Sequence, residues 1–424
     1  MKGDFISTYF LLMKHLFLVV FTLGFVQIGF SQDTLKVSLP ELEKRFLNNN
    51  LILLVTKSNV DISKAYTEQA KLWDNPNVMF ETGFINLKEK KVFDRQEAYI
   101  QIQQLFRLAH KREKLTAFSQ ANEKLNEAQF NDLMRILRHQ LRSDYYDLVN
   151  IEQKRAWYAE QIAGFSQLIN AVSDQVKAGN MAQKDLVRLQ SQSWSLQRDL
   201  LDLEQSRIPI WADMQVLLGE KTMLTFLPQS TPLSINAENT TLTDLMTTAQ
   251  QNRSDLKVVD ANVALLQANV VYQKALAKPD LTAALTYDRV NTYTPNYIGV
   301  QVGIPIPVFN KNQGNIKAAE LQVKQQGLQR DAVSAQIVAD IVSAYRRLQE
   351  LENWQRTKAS DFYKNYETFY KQVADSYQKR QITLVEFIDF FQDYQQQKLQ
   401  QLEHQSRIRK SAEEVNYAVG KDVF

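Results

Sequence analysis

The 424-residue chain contains no cysteine. That excludes a disulfide scaffold, a thiolate metal centre and a lipid carried on an N-terminal cysteine. Glycine and proline are scarce, at 12 and 9 residues, and seven of the prolines fall in two clusters. One holds Pro209, Pro228 and Pro232; the other holds Pro279, Pro295, Pro305 and Pro307. None lies in 77–208 or 308–424. Proline breaks helices through its ring clash and missing N–H, so both spans are free to be helical over great length. An excess of one charge is also missing. Lys and Arg number 50 against 47 Asp and Glu, net +3, which points to no nucleic-acid or membrane-surface partner. His15, His110, His139 and His404 share no ligand spacing, and Trp157, Trp194 and Trp354 fall in helical stretches where packing is the ordinary role. No catalytic residue, metal site or cofactor is expected.

Beyond the N-terminal region no window reaches the roughly 18 apolar residues of a spanning helix. Lys14 and His15 precede the apolar run Leu16–Ile28, and Gly29-Phe30-Ser31 supplies small residues before Gln32. This reads as a signal peptide over 1–31, with Met13 an alternative start. The competing reading, a transmembrane anchor, needs a longer run. If the chain crosses a membrane elsewhere, it must do so with strands.

What is present is a duplication. SLPELEKRFLNNN at 38–50 is echoed by TLTDLMTTAQQNR at 241–253, and VKAGNMAQKDL at 176–186 by YQKRQITLVEF at 377–387. Internal repeats at constant spacing decide the architecture before any other signal. Repeat 1 is read as 38–208, an equatorial linker as 209–241 and repeat 2 as 242–418. Each repeat runs helix, β-hairpin, long helix, turn, helix.

In repeat 1, Ser38, Pro40 and Glu41 start a helix that should reach Trp73 or Asp74 before Pro76. A hairpin follows over 78–105. Val78, Phe80, Thr82 and Phe84 alternate with Met79, Glu81, Gly83 and Ile85, a solvated loop spans 86–97, and Ile100 and Ile102 return. Residues 111–176 should form one helix about 100 Å long. Its coiled-coil seam is Leu137, Leu141, Leu148 and Ile151, left polar near Asp144. Gly179 and Asn180 supply its C-terminal turn. The next helix should stop at Pro209, with a short helix over 214–218.

Repeat 2 opens with a helix over 242–277 and a cleaner hairpin over 281–304. Leu281, Ala283, Leu285, Ile298, Val300, Val302 and Ile304 form one wholly apolar side, while the other side is small or polar. That pattern suits strands with lipid on one face and a wet lumen on the other; the competing reading is a sheet backed by a soluble core. A helix over 315–378 then turns at Arg380. Thr383 can cap the last helix, with Glu386 at its third position.

Four strands cannot close on themselves, and an open edge in lipid leaves backbone groups unsatisfied at several kcal/mol each. Closure demands several copies. A dimer gives a narrow barrel of 8 strands and a homotrimer gives 12.

With these elements placed, the chain resembles the TolC family of outer-membrane efflux proteins over essentially all of 38–418. The segment GIPIPVFNKNQGNIKAAE at 303–320 resembles that family's heavy-metal efflux (CzcC/CusC-like) branch. The resemblance implies a mainly α fold with membrane β-hairpins: a trimeric 12-stranded outer-membrane β-barrel, four strands per chain, continuing into a long periplasmic α-helical barrel. It implies a passive conduit in the outer membrane of a Gram-negative bacterium. Its partners would be outer-membrane lipid, a periplasmic adaptor (membrane fusion protein) and an inner-membrane pump of the resistance-nodulation-division (RND) type. Heavy-metal cations are the implied substrate; drug efflux and protein secretion use the same architecture. The family carries acids six and nine residues past its helix turns, which match Asp185, Glu386 and Asp389 as a periplasmic gate. Three departures stand out: no cysteine for a lipid anchor, LFRLAHKREKL at 105–115 in place of the Asn-Gln-Gly pattern, and Arg380 where the turn usually has glycine.

Overall fold

The computed structural model describes residues 34–86, 91–220, 225–228, 235, 237 and 240–424; the expected signal peptide lies outside them. The elements are β1 (Thr34–Val37), α1 (Leu39–Asn49), α2 (Leu51–Ala70), β2 (Asn77–Asn86), β3 (Lys91–Phe106), α3 (Lys111–Lys177), α4 (Gln183–Leu218) and β4 (Thr225–Pro228). They continue with α5 (Leu242–Asn252), α6 (Ser254–Leu276), β5 (Leu281–Asp288), β6 (Tyr297–Gly303), α7 (Gln313–Trp354), a π turn (Gln355–Ala359), α8 (Ser360–Gln378) and α9 (Leu384–Val419). Apart from β1 and β4, which pair in parallel, the order is one series of elements used twice.

The helix expected to open each repeat is in fact two helices. Asn50 and Arg253, at equivalent places, leave helical geometry with ψ of 116° and 115°. Each break is held by the end of its own repeat. Asn50 Nδ2 donates to the Leu217 carbonyl at 2.7 Å, and Arg253 Nη1 to the Ala418 carbonyl at 3.0 Å. Just beyond those carbonyls, Gly219 and Gly420 terminate α4 and α9 at φ of 64° and 76°. A Cβ on Gly219 would lie 2.2 Å from the Asn49 carbonyl oxygen, so glycine is required there for space as well as for its positive φ.

Two further elements depart from the sequence reading. Pro209 lies inside α4, which runs on to Leu218 without interruption. Interior proline costs about 3 kcal/mol, but the turns beyond it bury Met214, Leu217 and Leu218 against Leu42, Phe46 and Leu141. At about 1.5–3 kcal/mol per buried side chain, that burial wins. The connecting segment therefore starts at Gly219, not at 209. The π turn divides the long helix of repeat 2, whereas α3 of repeat 1 is continuous.

Three cores result. One joins α1, α3 and α4 around Phe46, Leu141 and Met214. Its counterpart in repeat 2 joins α5, α7 and α9 around Leu245, Ile341 and Val415. A third, at the end remote from the strands, is shared by both repeats and is aromatic: Trp157, Phe165, Phe387, Phe391 and Tyr394.

Charges fasten the repeats together at mid-length. Arg142 of α3 donates to Asp422 at 2.6 Å and to Glu413 of α9 at 3.0 Å, while Arg138 reaches Glu43 of α1 at 3.0 Å. Burial alone would raise Glu43, but Arg138 and Arg142 hold it below the ordinary carboxylate value.

The polar place in the α3 seam is Asp144, only 6% exposed. Its carboxylate accepts from Gln140 at 2.8 Å, and its pKa is pushed up to about 6 by burial and by the nearby Asp213. A raised carboxyl pKa means the native state holds the proton longer than the unfolded chain. Stability therefore falls as pH rises from about 4 to 6 and stays lower above that. Asp144→Asn should raise the melting temperature at pH 7.5, by the equivalent of about 2–3 kcal/mol, with the gain shrinking as pH falls through about 6 and gone below about pH 4. Equal melting of both proteins at pH 7.5 contradicts this reading.

Candidate functional site

At the aromatic end the chain reverses twice, and the two reversals share one backbone design. After α3, Gly179 takes φ of 75°, and the Asn180 N–H donates to the Gln175 carbonyl at 2.9 Å. After α8, Arg380 takes φ of 60°, and the Gln381 N–H donates to the Ser376 carbonyl at 2.8 Å. These are Schellman-type ends. Arginine bears roughly 1–2 kcal/mol of left-handed strain that glycine avoids. Its guanidinium reaches across the repeats: Gln175 Oε1 accepts from Arg380 Nη2 and from Asn180 Nδ2, both at 3.2 Å. The contact ties the second turn to the first, and it is made to an amide rather than to the acids of the tip.

The three acids have different surroundings. Asp185 is half-buried at the third position of α4; burial and, after it, the Asp185 charge raise the Tyr377 hydroxyl pKa. Glu386 folds back on its own helix start. Its Oε2 accepts from the Thr383 N–H at 2.7 Å and from the Thr383 hydroxyl at 2.8 Å, and its N–H donates to Thr383 Oγ1 at 3.3 Å. Those bonds, the backbone one foremost, hold its pKa below the ordinary glutamate value, so it stays ionised at neutral pH. Asp389, one turn further along α9, is exposed. Among the described residues none of the three makes an ion pair.

Sequence reasoning anticipated the Thr383–Glu386 cap but missed Gln175 and Tyr377. It also missed the stacking that joins α8 to α9, with Tyr370 on Tyr394 at 3.9 Å and Tyr377 on Phe387 at 4.8 Å. The one available signal was the density of Phe and Tyr between 362 and 394.

At the opposite end four strands form one antiparallel sheet in the order β2-β3-β5-β6. Register runs straight across it. Val78, Ile102, Leu285 and Val300 form one row, and Phe80, Ile100, Tyr287 and Ile298 the next. Successive strand residues face opposite ways, so these rows share a face. Leu281, Ala283 and Val302 lie on it by the same register, and Ile304 follows in the extended chain after β6. Val300 is 78% exposed, and among the described residues nothing covers this face. The reverse face carries Gln101, Thr286 and Gln301. Gln101 is 8% exposed and donates to Gln301 at 3.2 Å.

The first hairpin departs from expectation in two ways. A register shift between Thr82 and Gly83 interrupts its ladder, and β3 begins at Lys91, so the expected loop over 86–97 is mostly strand. No helix among the described residues is long and apolar enough to cross a membrane.

The long helices expose a second apolar surface. Val187, Trp194, Leu201 and Ile208 recur every seventh residue along α4, all exposed, with Trp194 at 71%. Leu321 and Leu328 of α7, and Phe362 and Phe369 of α8, repeat at the same interval. Heptad spacing is the signature of helices that pack side by side.

The profile of the family described as outer membrane efflux protein matches residues 245–421, nearly all of repeat 2. No curated protein sequence matches the chain. Solved outer-membrane channels share its fold over almost their whole length. CusC matches with a TM-score of 0.71 at 15% identity, covering 94% of this chain and 95% of that one. VceC of Vibrio cholerae matches at 0.70 and 13%, covering 90% and 96%. The open-state MtrE channel of Neisseria gonorrhoeae matches at 0.71 and 13%, covering 91% and 89%. At such identities the likeness is one of fold.

Proposed function

We propose that the chain is one of three identical subunits of an outer-membrane efflux channel. The observation that carries this reading is the sheet, apolar on one face, polar on the other and open at β2 and β6. In water such a face is a liability. In a bilayer it is the outside of a barrel, and the Gln101–Gln301 side is the lining of its lumen. Three copies give 12 strands, and the exposed heptads of α4, α7 and α8 would pack between copies as a helical tunnel. The profile match over repeat 2 and the fold shared with solved channels support the same conclusion.

The conduit catalyses nothing. It would receive substrate from an RND-type inner-membrane pump through a periplasmic adaptor docked at the reversals around Gly179 and Arg380. Heavy-metal cations are the substrate class favoured by the 303–320 segment. Among the described residues no group of three His, Asp or Glu side chains could hold a metal ion. The gate would be Asp185, Glu386 and Asp389, nine carboxylates in a trimer, which repel one another and attract cations.

Two experiments test this. Val300→Arg places a charge on the apolar face and should block assembly into liposomes, at a cost of about 2–4 kcal/mol per chain. Gln301→Arg, on the lumen side, should assemble normally. Equal assembly of both variants removes the lipid face. Separately, Asp185, Glu386 and Asp389 are replaced together by alanine, and single-channel currents are recorded in planar bilayers. Cation selectivity should weaken, and block by divalent cations added at the helical end should disappear. Unchanged selectivity and block would reduce the three acids to helix-start charges.

A further inference from the structure

The strands meet the helices at one level, in the segments 71–76, 107–110, 277–280 and 304–312, with Lys111 and Arg112 opening α3 beside them. These segments are bound to one another. Arg107 pairs with Asp74 at 2.7 Å, the Leu108 N–H donates to Asp280 at 3.0 Å, and Lys111 reaches Asp280 at 2.7 Å and the Lys278 carbonyl at 2.6 Å. They form a collar of stated composition. It contains six cations, Lys71, Arg107, Lys111, Arg112, Lys278 and Lys311, against two carboxylates, Asp74 and Asp280, a net charge of +4. The whole chain carries only +3.

Both collar carboxylates are already matched, by Arg107 and Lys111. Lys278 and Lys311 are exposed, and Arg112 lies 3.9 Å over the ring of Trp73. Between these cations stand uncovered apolar side chains. The alternation of β6 continues past its end through Ile304, Ile306 and Val308 to Phe309, which is 93% exposed; Leu72, Trp73 and Leu108 are exposed as well. Pro305 and Pro307 have no N–H to offer a neighbouring strand, so this extension is fitted for something other than β pairing.

We propose that the collar binds anionic phospholipid headgroups in the leaflet nearest the helices. This deepens the channel reading and rests on its premise that the sheet is embedded in a bilayer. The chemistry is complementary on both counts. Aromatic and aliphatic side chains at the border of an apolar band sit among glycerol and upper acyl groups, and cations one step further from the band meet phosphates. Of the four cations that no collar carboxylate matches, Lys71 pairs with Glu68 of α2 at 2.6 Å, which leaves Arg112, Lys278 and Lys311. An ordinary anchoring belt prefers aromatics without regard to lipid charge; the +4 excess adds the charge preference.

The test uses the full-length protein reconstituted in phosphatidylethanolamine, with trace spin-labelled phosphatidylglycerol or phosphatidylethanolamine as probes. Electron paramagnetic resonance reads the motionally restricted fraction of each probe. At low salt phosphatidylglycerol should be restricted preferentially, by about fivefold for each participating cation, and the preference should shrink at high salt. The variant R112Q/K278Q/K311Q should restrict both lipids equally. A charge-matched control, K184Q/K364Q/K379Q at the other end of the helices, should keep the preference. Equal restriction of both probes by the unaltered protein overturns the proposal and leaves the membrane reading standing, as does an equal loss of preference in the control. No restricted lipid of either kind overturns both.

Discussion

Backbone groups at the two edges of the sheet are the constraint on which this structure depends. Within the chain the ladder ends at β2 on one side and β6 on the other. One face of the same sheet is apolar and, among the described residues, uncovered. Water would satisfy the edges but not the face; hydrocarbon would satisfy the face but not the edges. Lipid, with further strands beside β2 and β6, would satisfy both. On the proposed reading, further copies of the chain supply those strands.

Duplication makes that requirement easy to meet. Each repeat contributes one hairpin, one long helix and one returning helix, and each fastens its own end to the break in its own first helix through Asn50 or Arg253. The repeats are then joined at three levels: by β3 on β5 in the sheet, by the Arg138–Arg142 cluster at mid-length, and by the aromatic core near the reversals. They diverge where they reverse. Repeat 1 turns on Gly179, which carries little strain. Repeat 2 turns on Arg380, carries the π turn upstream and holds α8 to α9 by stacked rings. The second helix pair is built differently from the first, and the difference is concentrated at the end where the proposed gate lies.

The element order, the two reversals and the apolar side of the second hairpin were legible in the sequence, because each rests on local periodicity or on turn chemistry. The breaks at Asn50 and Arg253 were not. Neither residue disrupts a helix by itself, and each break is stabilised by a carbonyl about 165 residues away. Pro209 misled for the converse reason: its local cost is outweighed by burial against α1 and α3, which no window of sequence contains. Asp185 and Glu386 could be located from the turns, but not what their carboxylates touch. Glu386 is held by Thr383, a partner three residues away and predictable, whereas the charge of Asp185 acts on Tyr377 of the other repeat.

Central to this account is the claim that the sheet is closed by copies of the chain. The most direct measurement is the mass of the purified particle in detergent, by light scattering corrected for bound detergent. Three chains per particle is the result required by four strands each and a 12-stranded barrel. A monomer or dimer as the sole stable species would contradict it, because the edges of β2 and β6 would then have to be satisfied some other way.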